Sequence, residues 1–214
     1  MEDLNCVPEP VRSGAARRVH MIAICGVAMS ALAGMLKQRG YAVSGSDENV
    51  YPPMSTVLER LGIAIRPGFR AEHLADRPDL VVVGNKVSRT NPEVQAMLAS
   101  GIPYVSLPQA LAALFLAARR PLVVAGTHGK TTSTALLAWV LECAGRDPSL
   151  LVGGDALNFD GNYKLGNGED FVIEGDEYDT AFFDKGPKFL HYIRVESRIA
   201  KGQDVITCHL HPLK

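Results

Sequence analysis

Val123-Val124-Ala125-Gly126-Thr127-His128-Gly129-Lys130-Thr131-Thr132 is the stretch on which the reading of the fold depends. An apolar run enters a glycine turn, and Lys-Thr-Thr then opens a helix-forming stretch that ends near Gly145. Strand, turn and helix in that order belong to an α/β fold, and this turn suits a nucleoside triphosphate. Glycines let backbone N–H groups close around phosphate oxygens, the helix N-terminus adds partial positive charge, and a lysine adds a full one. Lys130 is assigned to the β- and γ-phosphates; Thr131 is the favoured hydroxyl for Mg²⁺, with Thr132 second. Gly126, Thr127, His128 and Gly129 complete the loop, His128 as a loop or substrate-side residue rather than a base. The usual P-loop sets four residues between its glycines, whereas only two separate Gly126 from Gly129, so this is a compact variant. A mere packing turn is the competing reading, and a lysine directly after the turn argues against it.

Downstream, Asp170-Phe171-Val172-Ile173-Glu174-Gly175-Asp176-Glu177-Tyr178-Asp179 is an apolar strand that delivers carboxylates at its C-terminal end. In a parallel sheet that edge also bears the phosphate loop. A carboxylate beside a triphosphate shares the metal, so Glu174 becomes a Mg²⁺ ligand candidate, against the alternative of a solvated acidic turn.

Upstream, strands are expected at residues 19–25, 41–45, 80–84 and 102–105, alternating with helices at 27–39, 53–61, 92–100 and 107–117. The alternation predicts a parallel sheet with both faces covered. Arg119-Arg120-Pro121 marks a boundary, because proline disfavours a helix across the junction. The block beyond it contains too few elements for a finished α/β domain. Gly26 follows the first strand and Asp47 lies about twenty residues on, a spacing that lets a carboxylate reach a ribose. Ala28 and Ala31 stand where a dinucleotide fingerprint has glycines, so NAD, another nucleotide-diphosphate ligand and simple packing all stay open. The segment 84–92 sits at another strand end, where polar side chains could meet a sugar or base, or where Asn91 simply caps the helix that Pro92 opens.

A net charge of −1 gives no general attraction to phosphate backbones or anionic membranes, so no nucleic-acid or membrane partner is expected. The four cysteines lack metal-ligand spacing and suit a reduced, cytoplasmic setting. The longest wholly apolar stretch, residues 110–118, is too short to span a bilayer.

The short loop 126–132 resembles that of the Mur ligase family, the ATP-dependent amide-forming enzymes of bacterial peptidoglycan. Ser44-Gly45-Ser46-Asp47, Asn49-Val50-Tyr51-Pro52-Pro53-Met54-Ser55-Thr56 and Asp176-Glu177-Tyr178-Asp179-Thr180-Ala181-Phe182-Phe183-Asp184-Lys185 are similar to the peptidoglycan-recycling branch more than to the L-alanine-adding branch. The resemblance implies a flexible leader at 1–18, a Rossmann-like UDP-sugar domain at 19–118, and a partial ATP-binding domain at 120–192. It implies ATP and Mg²⁺ as cofactors, with UDP-N-acetylmuramate and a murein tripeptide as substrates. By the same resemblance Gly26, Met29 and Ser30 would lie along the diphosphate, Asp47 near the uridine, and Asn85, Ser88 and Asn91 near the sugar. Lys130 and Glu174 would be catalytic, with Thr131 and Glu174 on the metal. Past Tyr192 the likeness stops, and 193–214 reads as an unrelated tail, as in a truncated or frame-shifted product. A noncatalytic UDP-sugar-binding module and an NAD-dependent oxidoreductase are the readings from other classes.

Overall fold

A computed structural model describes residues 6–175, 179–187, 191–192, 194–198 and 207–211. The fold is mixed α/β and is built on two sheets. The first comprises β1 (Arg18–Ile22), β2 (Ala42–Asp47), β3 (Ala64–Pro67), β4 (Leu80–Val83) and β5 (Tyr104–Ser106), in the order β3-β2-β1-β4-β5, all parallel. Before it comes α1 (Glu9–Arg12); between its strands run α2 (Val27–Gln38), α3 (Met54–Arg60) and α4 (Pro92–Ser100). After β5, α5 (Leu107–Leu111) continues into a π-helical turn, Ala112–Leu116.

A parallel sheet covered on both faces needs strands that are apolar throughout, and Leu80-Val81-Val82-Val83 are all fully buried. Period-two alternation divides them: Leu80 and Val82 join one cluster with Val19 and Met21, whereas Val81 and Val83 join another with Ile22, Val94 and Met97. The expected flexible leader is partly packed: Val7 and Val11 are buried in the main cluster, and the Tyr41 hydroxyl donates to the Val11 carbonyl at 2.7 Å. Two apolar side chains and one backbone carbonyl give that segment enough interior contact to hold a place.

The second sheet follows the order β6-β9-β7-β8: β6 (Arg120–Ala125), β9 (Asp170–Gly175) and β7 (Ser149–Ala156) are mutually parallel, and β8 (Gly161–Lys164) is antiparallel to β7. Helix α6 (Lys130–Cys143) follows β6. At the start of β9 the fully buried Asp170 accepts from Arg120 Nε at 2.7 Å and from Arg146 Nε at 2.6 Å. Burial alone would push that carboxyl up, but the two guanidiniums outweigh it and hold it below the usual range.

Helix α2 buries eight consecutive residues, Met29 to Leu36, because it lies between the two sheets. A helix covered on every side has no polar face. Tyr163 of β8 meets Gly34 so closely that a Cβ there would fall 2.3 Å from its hydroxyl oxygen, and Asn162 Nδ2 donates to the Val27 carbonyl at 3.1 Å. Beyond β9, β10 (Asp179–Ala181) and β11 (Asp184–Pro187) form a hairpin, and β12 (Arg194–Arg198) pairs with β13 (Thr207–His211). The rest of the expected tail lies outside the described residues. Among those described, no helix is long and apolar enough to cross a membrane.

Candidate functional site

The C-terminal rim of the second sheet gathers the residues that the loop sequence singles out. Val124 pairs in register with Glu174 and Ala125 with Gly175, so the strand that feeds the glycine turn and the strand that carries the carboxylate end side by side. Gly126 has φ 151 and Gly129 φ 72, left-handed values that side chains resist, and Gly129 caps α6. The turn can therefore aim its amides outward and start the helix at Lys130. Lys130 Nζ donates to the Gly126 carbonyl at 2.8 Å, folding the ammonium back over the loop mouth.

Thr131 Oγ1 lies 3.0 and 3.2 Å from the two carboxylate oxygens of Glu174, and Glu174 Oε2 also accepts from Gly153 N at 2.8 Å. Hydroxyl and carboxylate are the hard oxygen donors that Mg²⁺ takes. With metal–oxygen bonds of about 2.0–2.1 Å, neighbouring corners of its octahedron lie roughly 2.9 Å apart, which this pair fits. Thr127, His128 and Thr132 are exposed on the same rim, with His128 Nδ1 3.2 Å from Thr127 Oγ1. Asp176, Glu177 and Tyr178 lie outside the described residues.

The first sheet's rim is organised differently. Gly26 caps α2 and is exposed, but Met29 and Ser30 turn inward; Ser30 Oγ donates to the Val27 carbonyl at 2.9 Å and contacts Met54 Sδ at 3.0 Å. What this helix start offers an anion is backbone. Asp47 is buried, one oxygen accepting from Cys25 N and the other from Asn49 N, both at 2.9 Å. It ties the turn after β1 to the end of β2. Burial, and then the charge of Asp47, push the Cys25 thiol up to about 11, which keeps it protonated at neutral pH. Asn91 accepts from Glu93 N and Val94 N, the cap that its position before Pro92 allows. Asn85 and Ser88 are exposed, Ser88 Oγ lying 2.9 Å from Thr90 Oγ1.

Two groupings escape the sequence reading. His20 Nε2 meets Glu93 Oε1 at 2.7 Å in the interior, its Nδ1 meets the half-buried Ser44 Oγ at 2.9 Å, and the half-buried His73 Nδ1 lies 3.3 Å from Glu93 Oε2. The one signal was a histidine inside an apolar strand. The second is Ser106, Asp184 and His191, which join the hairpin β10–β11 to the first sheet.

A model of the Mur ligase family, catalytic domain, matches residues 18–119, the span of the first sheet. The chain is 50% identical over 175 residues to UDP-N-acetylmuramate--L-alanyl-gamma-D-glutamyl-meso-2,6-diaminoheptandioate ligase of Escherichia coli, covering 82% of this chain and 38% of that protein. It is 42% identical over 181 residues to UDP-N-acetylmuramate--L-alanine ligase of Carboxydothermus hydrogenoformans, covering 85% and 38%. The crystal structure of UDP-N-acetylmuramate:L-alanyl-gamma-D-glutamyl-meso-diaminopimelate ligase from Neisseria meningitides superimposes with a TM-score of 0.79 at 46% identity, covering 83% of this chain and 58% of that one. The chain thus spans about two fifths of the length of the curated relatives it matches.

Proposed function

This chain carries a Mur ligase family domain, and on that premise we propose that it is the sugar-nucleotide- and ATP-binding portion of an ATP-dependent amide ligase. The ligase joins UDP-N-acetylmuramate to L-alanyl-γ-D-glutamyl-meso-diaminopimelate in peptidoglycan recycling, in the cytoplasm where both nucleotides are found. Residues 19–118 hold the UDP-sugar and 120–192 the ATP. The observation that carries this reading is the meeting of Lys130, Thr131 and Glu174 at one sheet edge, beside the glycine turn.

The chain's own residues bind and orient. Amides of 126–130 and the α6 N-terminus receive the phosphates, and Lys130 exchanges the Gly126 carbonyl for the γ-phosphate oxygens, offsetting charge as it builds. Thr131 and Glu174 hold Mg²⁺, which when bound neutralises the β- and γ-phosphates. On the first sheet, Gly26, Met29 and Ser30 at the start of α2 border the diphosphate, the Asp47 turn borders the uridine, and Asn85, Ser88 and Asn91 border the sugar. A lactyl carboxylate oxygen bonds to the γ-phosphorus as the bond to ADP breaks. The tripeptide amine then attacks the acyl carbon, loses a proton and expels phosphate. Neither step needs a covalent protein intermediate, and holding reactants aligned can lower the barrier by roughly 7 to 11 kcal/mol.

Isothermal titration tests both sites: UDP-N-acetylmuramate and a nonhydrolysable Mg-ATP analogue should each bind at submillimolar concentration. Absence of heat at millimolar ligand, from protein with an intact melting transition, would overturn the reading. Phosphate release that requires sugar nucleotide, tripeptide and Mg-ATP together identifies the ligase; sugar-nucleotide binding without such release identifies a UDP-sugar-binding module.

A further inference from the structure

The hairpin β10–β11 begins a few residues after Glu174 yet lies on the first sheet. Phe182 and Phe183 pack against the cluster built on Ile22, Val81 and Val83, and the Phe183 ring stands edge-on to Tyr104 with centroids 5.0 Å apart. The next residue, Asp184, accepts a hydrogen bond from Ser106 Oγ at 2.8 Å, and His191 Nε2 lies 3.1 Å from the same oxygen. Ser106 is fully buried and ends β5. Its register partner on β4 is Val83, and Gly84 follows directly, opening the segment 84–91 assigned above to the sugar. A carboxylate ten residues from the metal-ligand candidate is therefore fastened one residue from the sugar-side loop.

We infer that Asp184 is a positioning residue: through Ser106 and His191 it sets the sugar-side loop relative to the phosphate loop, so that binding at either site strengthens binding at the other. This rests on the function proposed above. In-line attack demands that carboxylate and γ-phosphate sit within a near-attack distance, and two loops on separate sheets need a shared fixed point to meet that demand. The Ser106–Asp184 bond is partly buried, Ser106 fully and Asp184 largely, which strengthens it relative to an exposed pair.

The test is titration of the whole chain with the nonhydrolysable Mg-ATP analogue, with and without saturating UDP-N-acetylmuramate. In the unaltered chain the sugar nucleotide should tighten the analogue at least about fivefold, the lower end of ordinary coupling between sites. Asp184→Asn and Ser106→Ala should each hold single-ligand affinities within about twofold while cutting the coupling below about twofold. Ser106 also caps α5 in a box with Gln109, so Gln109→Ala, which breaks the box without touching Asp184, should keep the coupling. Should Asp184→Asn fail to fold, Ser106→Ala decides. Unchanged coupling in Ser106→Ala, or none in the unaltered chain, overturns the inference. Loss of both single-ligand signals in the unaltered chain overturns instead the functional reading on which it rests.

Discussion

The two strand–turn–helix units of this chain are built from one plan and differ in what they do with their rims. After β1, the polar groups face inward: Asp47 holds two backbone amides, Ser30 bonds to its own helix, and Asn91 caps α4. After β6 they lie toward the loop mouth, where the exposed Thr131 meets the half-buried Glu174. The helices follow suit. Helix α2 is buried on every side between the sheets, whereas α6 exposes Leu136, Trp139 and Val140 and buries Thr134 and Ala138. The first rim is thus shaped by buried polar groups acting on backbone, the second by half-buried charged groups gathered at the loop mouth, and perturbing them should have opposite consequences for stability and for binding.

The largest effect on stability should come from the first unit. Glu93→Ala leaves His20 buried without its carboxylate, and breaking a buried pair from one side costs about 3–5 kcal/mol. Urea denaturation followed by circular dichroism measures it; a loss below 1 kcal/mol would erase the contrast. The same residue gives a pH signature. Burial alone would raise the Glu93 pKa, but hydrogen bonding and charge from His20, with a hydrogen bond from His73, hold it below its ordinary 4.5. Because the folded value is the lower, the stabilisation is complete above the unfolded pKa and is lost as pH falls through the folded one. Glu93→Gln should flatten that part of the acid limb, leaving the parts due to other depressed carboxylates such as Asp170.

Much of the first unit was legible because its signals are local. Helix α4 begins and ends where Asn91, Pro92 and Gly101 say it should, the last with φ 69. Strand β1 was expected to reach residue 25 and stops at Ile22, because Ala23 takes φ 66 and Asp47 captures the Cys25 amide, a tertiary contact no window of sequence contains. Strands β3 and β8 carry no local signal: one is a four-residue edge ending at Pro67, the other lies in a Gly/Asn-rich connection without an apolar run. The neighbouring positions of Lys130, Thr131 and Glu174 were readable because a parallel sheet puts strand ends on one rim. The bond between His20 and Glu93 spans 73 residues, and nothing local announces it.

A smaller effect is expected at the seam. Gly34→Ala gains helix propensity of roughly 0.5–1 kcal/mol, but its Cβ would meet the Tyr163 hydroxyl, and overpacking of this kind costs about 1–3 kcal/mol. The net should be a destabilisation of about 1 kcal/mol. In a Tyr163→Ala background the clash is gone and the same substitution should become stabilising. A double-mutant cycle without that change of sign would mean that α2 and β8 are not in contact in solution.

The smallest change in stability, and the sharpest contrast with Glu93, belongs to Lys130. Its ammonium reaches a carbonyl at the solvent-facing loop mouth, and Lys130→Met removes a charge without opening a cavity. The melting transition should shift by no more than the equivalent of about 0.5 kcal/mol, as for other surface positions. Affinity for the Mg-ATP analogue should nevertheless fall at least about tenfold, since 1.4 kcal/mol of phosphate contact is a modest share of what a charge-assisted bond supplies. Sugar-nucleotide affinity, held on the other sheet, should stay unchanged. If both affinities fell together, or if stability fell with them, the division between a rim that shapes the backbone and a rim that meets phosphate would not hold.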